Sequence, residues 1–200
     1  MVWSFQYEPR GSSYPRAEIV DGGRLALELE DNTRDGGVSL LGGNQGYSGR
    51  RVKPESVPKA IRFLSKRPLQ DFENQYIKTV SDRFKSLIEE IEPNLHQFEP
   101  VEFIAVDASS LGWRWFWQIC HRLDSVHREK TDWVLEGAAW NYPPNWNRAS
   151  QPVFDISKIR NAEFWHDMHL VSTNLCSDEA RERLDAARIT GLRYSYRKQA

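Results

Sequence analysis

Trp3, Phe5 and Tyr7 alternate with Ser4 and Gln6, the two-residue period of a strand with one aromatic face. Pro9, Gly11, Ser12, Ser13 and Pro15 break that pattern. Leu25, Leu27 and Leu29 alternate with Ala26, Glu28 and Glu30 and predict a second strand. Between Asp35 and Arg51 stand Gly36, Gly37, Gly42, Gly43, Gly46 and Gly49, a density that reads as a mobile surface loop. Pro54, Pro58 and Pro68 then cut the chain into short pieces around Ile61–Leu64. The period changes at Phe84, Ile88 and Ile91, with Leu87 beside them, to the spacing of one helical face. Ser81 is placed to cap this helix, Asp82 suits its first turn, and Pro93 stops it. Phe98–Val106 reads as a strand, Asp107–Gly112 as a turn, and the alternating Trp113, Trp115 and Trp117 as the returning strand of a hairpin. These tryptophans read as core, with a partner surface as the alternative.

The second half repeats part of this. Ile159–Leu170 carries Phe164 and Trp165 and reads as a strand. Ser177 offers a cap, Asp178 and Glu179 follow in the first turn, and Ala180, Leu184 and Ala187 line one helical face. Gly191 stands where a helix exit needs a left-handed residue. Leu192, Tyr194 and Tyr196 then alternate with Arg193 and Ser195 as a strand. Ser81 and Ser177 are 96 positions apart, and so are Phe84 and Ala180, Ile88 and Leu184, Ile91 and Ala187. The pattern is read as a duplicated strand-helix-strand unit. The fold class it predicts is α+β, an antiparallel-rich sheet with two principal helices. Residues 1–60, strands and glycine-rich loop, are expected to join residues 61–200 in one compact body.

Composition narrows the function. Among 200 residues, 27 Lys+Arg balance 28 Asp+Glu, so the basic excess of a nucleic-acid binder is missing. No apolar run approaches the length of a membrane span. Cys120 and Cys176 alone make no disulfide framework, and Met1–Phe5 lacks a secretory leader pattern; both point to the cytoplasm.

Candidate chemistry is sparse. The glycine run has no lysine in the order of a phosphate-binding loop. His166 and His169, with Glu163 upstream, could ligate a metal, but residues three apart on a strand point to opposite faces, so they read as surface histidines. Cys120 and His121 diverge for the same reason, and Cys120 is expected to pack as a small apolar group. No catalytic residue, metal or cofactor is therefore assigned. Trp140, Tyr142 and Trp146 sit among Asn141, Pro143, Pro144, Asn145 and Asn147, a segment that reads as a loop. Aromatics on a loop make good anchors for a protein partner. With Trp165 and Asp167 they form the candidate partner-binding set.

Two segments resemble a known family, the polymorphic-toxin immunity proteins of family eleven. One is Val80-Ser81-Asp82-Arg83-Phe84-Lys85-Ser86-Leu87-Ile88, continuing through Phe98-Glu99-Pro100-Val101 to Leu123-Asp124-Ser125-Val126. The other is Cys176-Ser177-Asp178-Glu179 through Leu184 to Ile189-Thr190-Gly191-Leu192, with Cys176 where the family usually has valine. The similarity covers roughly residues 60–200. It implies a non-enzymatic cytoplasmic antidote that binds a cognate toxin, often one delivered by a contact-dependent secretion system. It carries over no functional residue. The readings it competes with are a small metal-assisted hydrolase using His166, His169 and Glu163, and a structural adaptor domain.

Overall fold

The computed structural model describes residues 1–9, 16–20, 26–38, 45–65, 67–74, 77–145, 147 and 150–200. Leu25, Gly42, Gly43, Trp146 and the break at residues 11–15 lie outside them. Thirteen strands are described: β1 (Val2–Tyr7), β2 (Ala17–Ile19), β3 (Ala60–Phe63), β4 (Phe72–Asn74), β5 (Lys78–Val80), β6 (Gln97–Ile104), β7 (Ser110–Gln118), β8 (Arg122–Leu123), β9 (Val134–Glu136), β10 (Ala139–Asn141), β11 (Phe164–Asp167), β12 (Asn174–Ser177) and β13 (Leu192–Arg197). The helices are α1 (Asp82–Ile91), the single turn α2 (Ile156–Ile159) and α3 (Asp178–Ala186). None is long and apolar enough to cross a membrane.

One sheet has the order β13-β1-β12-β11-β8 and the other β2-β3-β6-β7-β5-β4; β9 and β10 form a separate hairpin. Among the described strands, only β3–β6 and β8–β11 pair in parallel. The class is α+β, antiparallel-rich, as the patterning predicts. A central core draws Phe5, Phe72, Phe84, Trp117, Phe164 and Leu184 from both sheets and both long helices. Neighbouring residues of a strand face opposite ways, yet Phe116 and Trp117 are both fully buried. Each sheet is thus covered on both faces: Phe116 joins a second cluster with Ile61 and Phe103, and Trp165 joins a third with Phe154 and Leu175.

The likeness of the two units extends beyond their helices. In the first unit α1 joins β5 to β6, and β7 runs antiparallel between them. In the second α3 joins β12 to β13, and the antiparallel strand between them is β1, from the other end of the chain. The registers correspond. Val80 lies between Phe72 and Trp115, and Cys176 between Phe164 and Trp3. The Trp115 indole donates to Asp82 Oδ1 at 2.7 Å, and the Trp3 indole to Asp178 Oδ1 at 2.9 Å. Lys85 Nζ lies 4.8 Å from the Trp115 ring centre, and the Arg181 guanidinium 4.6 Å from that of Trp3. The cap hydroxyls of Ser81 and Ser177 donate to Asp71 and Glu163, each just before the outer strand of its unit. Where the units meet, Phe5 stacks on Trp117 with ring centres 5.9 Å apart, while Phe72 and Phe164 stand edge-on to them.

Both predicted caps are present: Ser81 Oγ accepts from the Phe84 N–H and Ser177 Oγ from the Ala180 N–H. Ser81→Ala and Ser177→Ala are each expected to cost about 1 kcal/mol, read by urea denaturation. A cost at one site only would mean that the two caps are not equivalent.

Four expectations need correction. Leu27 and Leu29 are buried as their alternation requires, but Leu29 forms only an isolated bridge to Val52. The Ile159–Leu170 segment is not one strand: α2 ends at Ile159, Arg160 turns the chain at φ 52°, and β11 begins at Phe164. The glycine-rich segment is a surface loop only in part: Asp35 and Gly36 are exposed, but its far end is packed into the body. Ser48 and Gly49 are buried, and Asp35 accepts hydrogen bonds from both Arg122 and Arg50. Its carboxyl is held far below the usual range, chiefly by Arg122. Gly49 has φ 71°, and a Cβ there would stand 2.5 Å from Arg122 Cβ. Finally, Trp113 is 62% exposed. The first residue of α1 receives the Trp115 indole, so Trp113 lies beyond the helix that covers Trp115 and Trp117.

Candidate partner-binding surface

The segment expected to be a loop contains the hairpin β9–β10. Gly137 at φ 59° makes its tight turn, and Trp140 pairs with Leu135 across it. The prolines that suggested a loop, Pro143 and Pro144, follow the second strand. Trp140 turns inward, 7% exposed, into the cluster around Val126 and Phe154. Its backbone N–H donates to the His169 carbonyl at 3.0 Å and holds the hairpin against the body. Tyr142 is 61% exposed and packs against Trp133, with ring centres 4.5 Å apart. Val134 is exposed beside them. The braced hairpin thus presents one exposed aromatic ring, Tyr142, seated on the half-buried Trp133 at its base.

The other members of the set are placed differently. Trp165 is fully buried, and its indole donates to Ser125 Oγ. Asp167 is also fully buried. Its Oδ2 accepts from Ser125 N and Oγ and from Val126 N, and its Oδ1 from His169 N. Burial raises its pKa against those hydrogen bonds. Trp140, Trp165 and Asp167 therefore have no exposed area to offer a docking partner. They support the surface from below. Trp146 lies outside the described residues, and Tyr142 remains.

The metal-ligand candidates are also dispersed: His166 and His169 are buried, not the surface histidines expected, and Glu163 is half-buried. His166 Nε2 faces Lys78 Nζ at 3.1 Å and its Nδ1 the Thr173 carbonyl at 2.7 Å. His169 lies past the end of β11, with Nδ1 2.9 Å from the Ala138 carbonyl. Glu163 accepts the Ser177 cap hydroxyl. Among the described residues no three His, Cys, Asp or Glu side chains gather as a metal site. Cys120 is pushed up to about 11 by burial, so it stays a thiol at neutral pH.

Patterning missed a polar pocket of about 340 Å³ bounded by β1, β12 and β13. Its lining includes Ser4, Gln6, Thr173, Asn174, Ser195 and Arg197, and no carboxylate. Arg197 Nε donates to Ser4 Oγ at 2.8 Å. Behind the pocket floor, Asn174 Oδ1 accepts from the buried Lys78 Nζ at 3.2 Å. The available signal was the charge pattern: residues 186–200 contain Arg188, Arg193, Arg197 and Lys198 and no acid.

No curated protein sequence matches the chain. One family model does, over residues 18–199, and its description is "Immunity protein family (Imm11)". The match begins well before residue 60, where the sequence resemblance was read to start.

Proposed function

The chain belongs to the Imm11 immunity protein family, and on that premise we propose that it neutralises a cognate bacterial toxin by binding it in the cytoplasm, without catalysis. The family match over nearly the whole chain carries this reading. Three features support it. The residues weighed as metal ligands or site acids are engaged in structural hydrogen bonds, as His166, Asp167 and Glu163 are. Cys120 and Cys176 are free thiols, as suits a reducing compartment. The exposed Tyr142, seated on the half-buried Trp133, flanks a braced hairpin, and rigid aromatics at low entropic cost are the usual anchors of a protein interface.

The test is co-expression with the toxin encoded beside this gene. Cells making the toxin alone should die, and cells making both should grow, with a stable complex recovered from them. Death in the presence of well-expressed, folded protein would end the reading. The Tyr142→Ala variant should keep its melting temperature and bind the toxin about 10-fold or more weakly, as for a hot-spot aromatic.

A further inference from the structure

We propose that the polar pocket between β1, β12 and β13 receives an acidic side chain of the bound toxin, held by the guanidinium of Arg197. The proposal rests on the toxin-binding reading above and deepens it. Its basis is unmatched positive charge. Arg50, Arg62, Arg67, Arg83, Arg122 and Arg181 each meet a carboxylate of this chain. Arg197, like Arg51, Arg114 and Arg193, meets no described carboxylate; beyond the Ser4 bond its nitrogens make no hydrogen bond to the described residues, and it is the one charged residue in the pocket's lining.

The lining adds hydroxyl and amide groups from Ser4, Ser195, Thr173 and Asn174, and no acid that would repel an anion. Behind the floor, Asn174 is held in place by the buried amine of Lys78. A guanidinium with two nitrogens to spare fits a carboxylate in a forked pair, which adds direction as well as charge. Half-burial strengthens that pair over one in bulk water. On the partner side the site calls for an Asp or Glu on a protruding element.

The experiment measures affinity of the purified protein for the neighbouring-gene toxin by titration calorimetry. Arg197→Gln and Arg197→Glu should weaken binding by about 30-fold or more, as when one member of a buried charge pair is lost. Ser195→Glu places the chain's own carboxylate at the pocket without disturbing the Arg197–Ser4 bond, and should weaken binding comparably at unchanged melting temperature. Lys59→Glu, an exposed reversal on β3's side of the molecule, should stay within about twofold. One Asp or Glu of the toxin changed to Lys should restore binding to Arg197→Glu. If the wild type binds tightly and both Arg197→Glu and Ser195→Glu bind equally well, the pocket proposal falls and the toxin-binding reading stands. If the wild type does not bind at all, the reading itself fails. Acetate or phosphate that raises the melting temperature of the wild type, but not of Arg197→Gln, while leaving toxin affinity unchanged, would assign the pocket to a free small anion and overturn the proposal.

Discussion

Lys78→Met is expected to stabilise the protein by about 2–4 kcal/mol at pH 6 and by little or nothing at pH 9. Lys78 is 2% exposed and its amine is pulled down to about 7, chiefly by burial. It faces His166 Nε2 and Asn174 Oδ1, with the Tyr47 ring 4.8 Å away. Cys120 and, around His166, His96 and Arg122 complete the nearby titratable groups. Between about pH 7 and the ordinary lysine range the unfolded chain binds a proton that the folded chain does not. Stability therefore rises with pH across that window. A fall from 10.5 to about 7 corresponds to roughly 5 kcal/mol at 1.36 kcal/mol per unit. Methionine removes that cost and keeps the apolar stem, but leaves two acceptors without a donor at about 1–3 kcal/mol. Urea denaturation of both proteins from pH 6 to 9 gives the difference directly. It cancels Tyr7, Tyr194 and Cys176, whose raised pKa values act in both. An equal gain at pH 6 and pH 9 would show that the lysine is not strained by its charge.

Glu92→Ala should cost about 3–5 kcal/mol, the range for removing one member of a buried ionic network, and lower the melting temperature by roughly 10 °C. Glu92 follows the last turn of α1 and is 7% exposed. Its carboxylate accepts from the backbone N–H groups of Glu163 and Phe164 at 2.9 and 3.0 Å, and meets His96 Nε2 at 2.8 Å. It thereby ties the first unit to the outer strand of the second. Burial pushes its pKa up, but His121, His96 and the Glu163 N–H prevail and hold it at about 2, against an ordinary 4.5. The stabilisation is fully present above about pH 4.5 and is lost as pH falls towards 2. Glu92→Gln should remove that acid-limb dependence. An acid-unfolding curve of the glutamine variant that keeps its wild-type slope between pH 4.5 and 2 would assign the ionic role to another group.

What could be read from the sequence divides along the range of the interaction. Ser81 and Ser177 cap helices that begin one residue later, and Gly191 adopts φ 94°, because each is decided within one turn of chain. The place of β1 could not be read, because its partners Cys176 and Tyr196 lie at the far end of the sequence. Exposure was hardest to read. Trp165 and Asp167 share one face of β11, and parity marks an outward face only where one side of a sheet is open. Here both sides are covered. Trp140 and Tyr142 also share parity, but the strand ends between them, so one is buried and the other is not. The Arg197 pocket needed three strands distant in sequence to be brought side by side.

The borrowed strand bears on how the chain emerges from the ribosome. β1 appears long before either β12 or β13, so Trp3, Phe5 and Tyr7 wait as an unmatched aromatic ribbon while the rest is made. The first unit draws its strands from one continuous stretch and can settle during that interval. The second can close only by reaching back for residues made long before it, at the entropic cost of a very long loop. Until it does, the nascent chain carries an open edge on which another copy could dock. Crowded synthesis, rather than the finished molecule, is where this architecture is most vulnerable to aggregation.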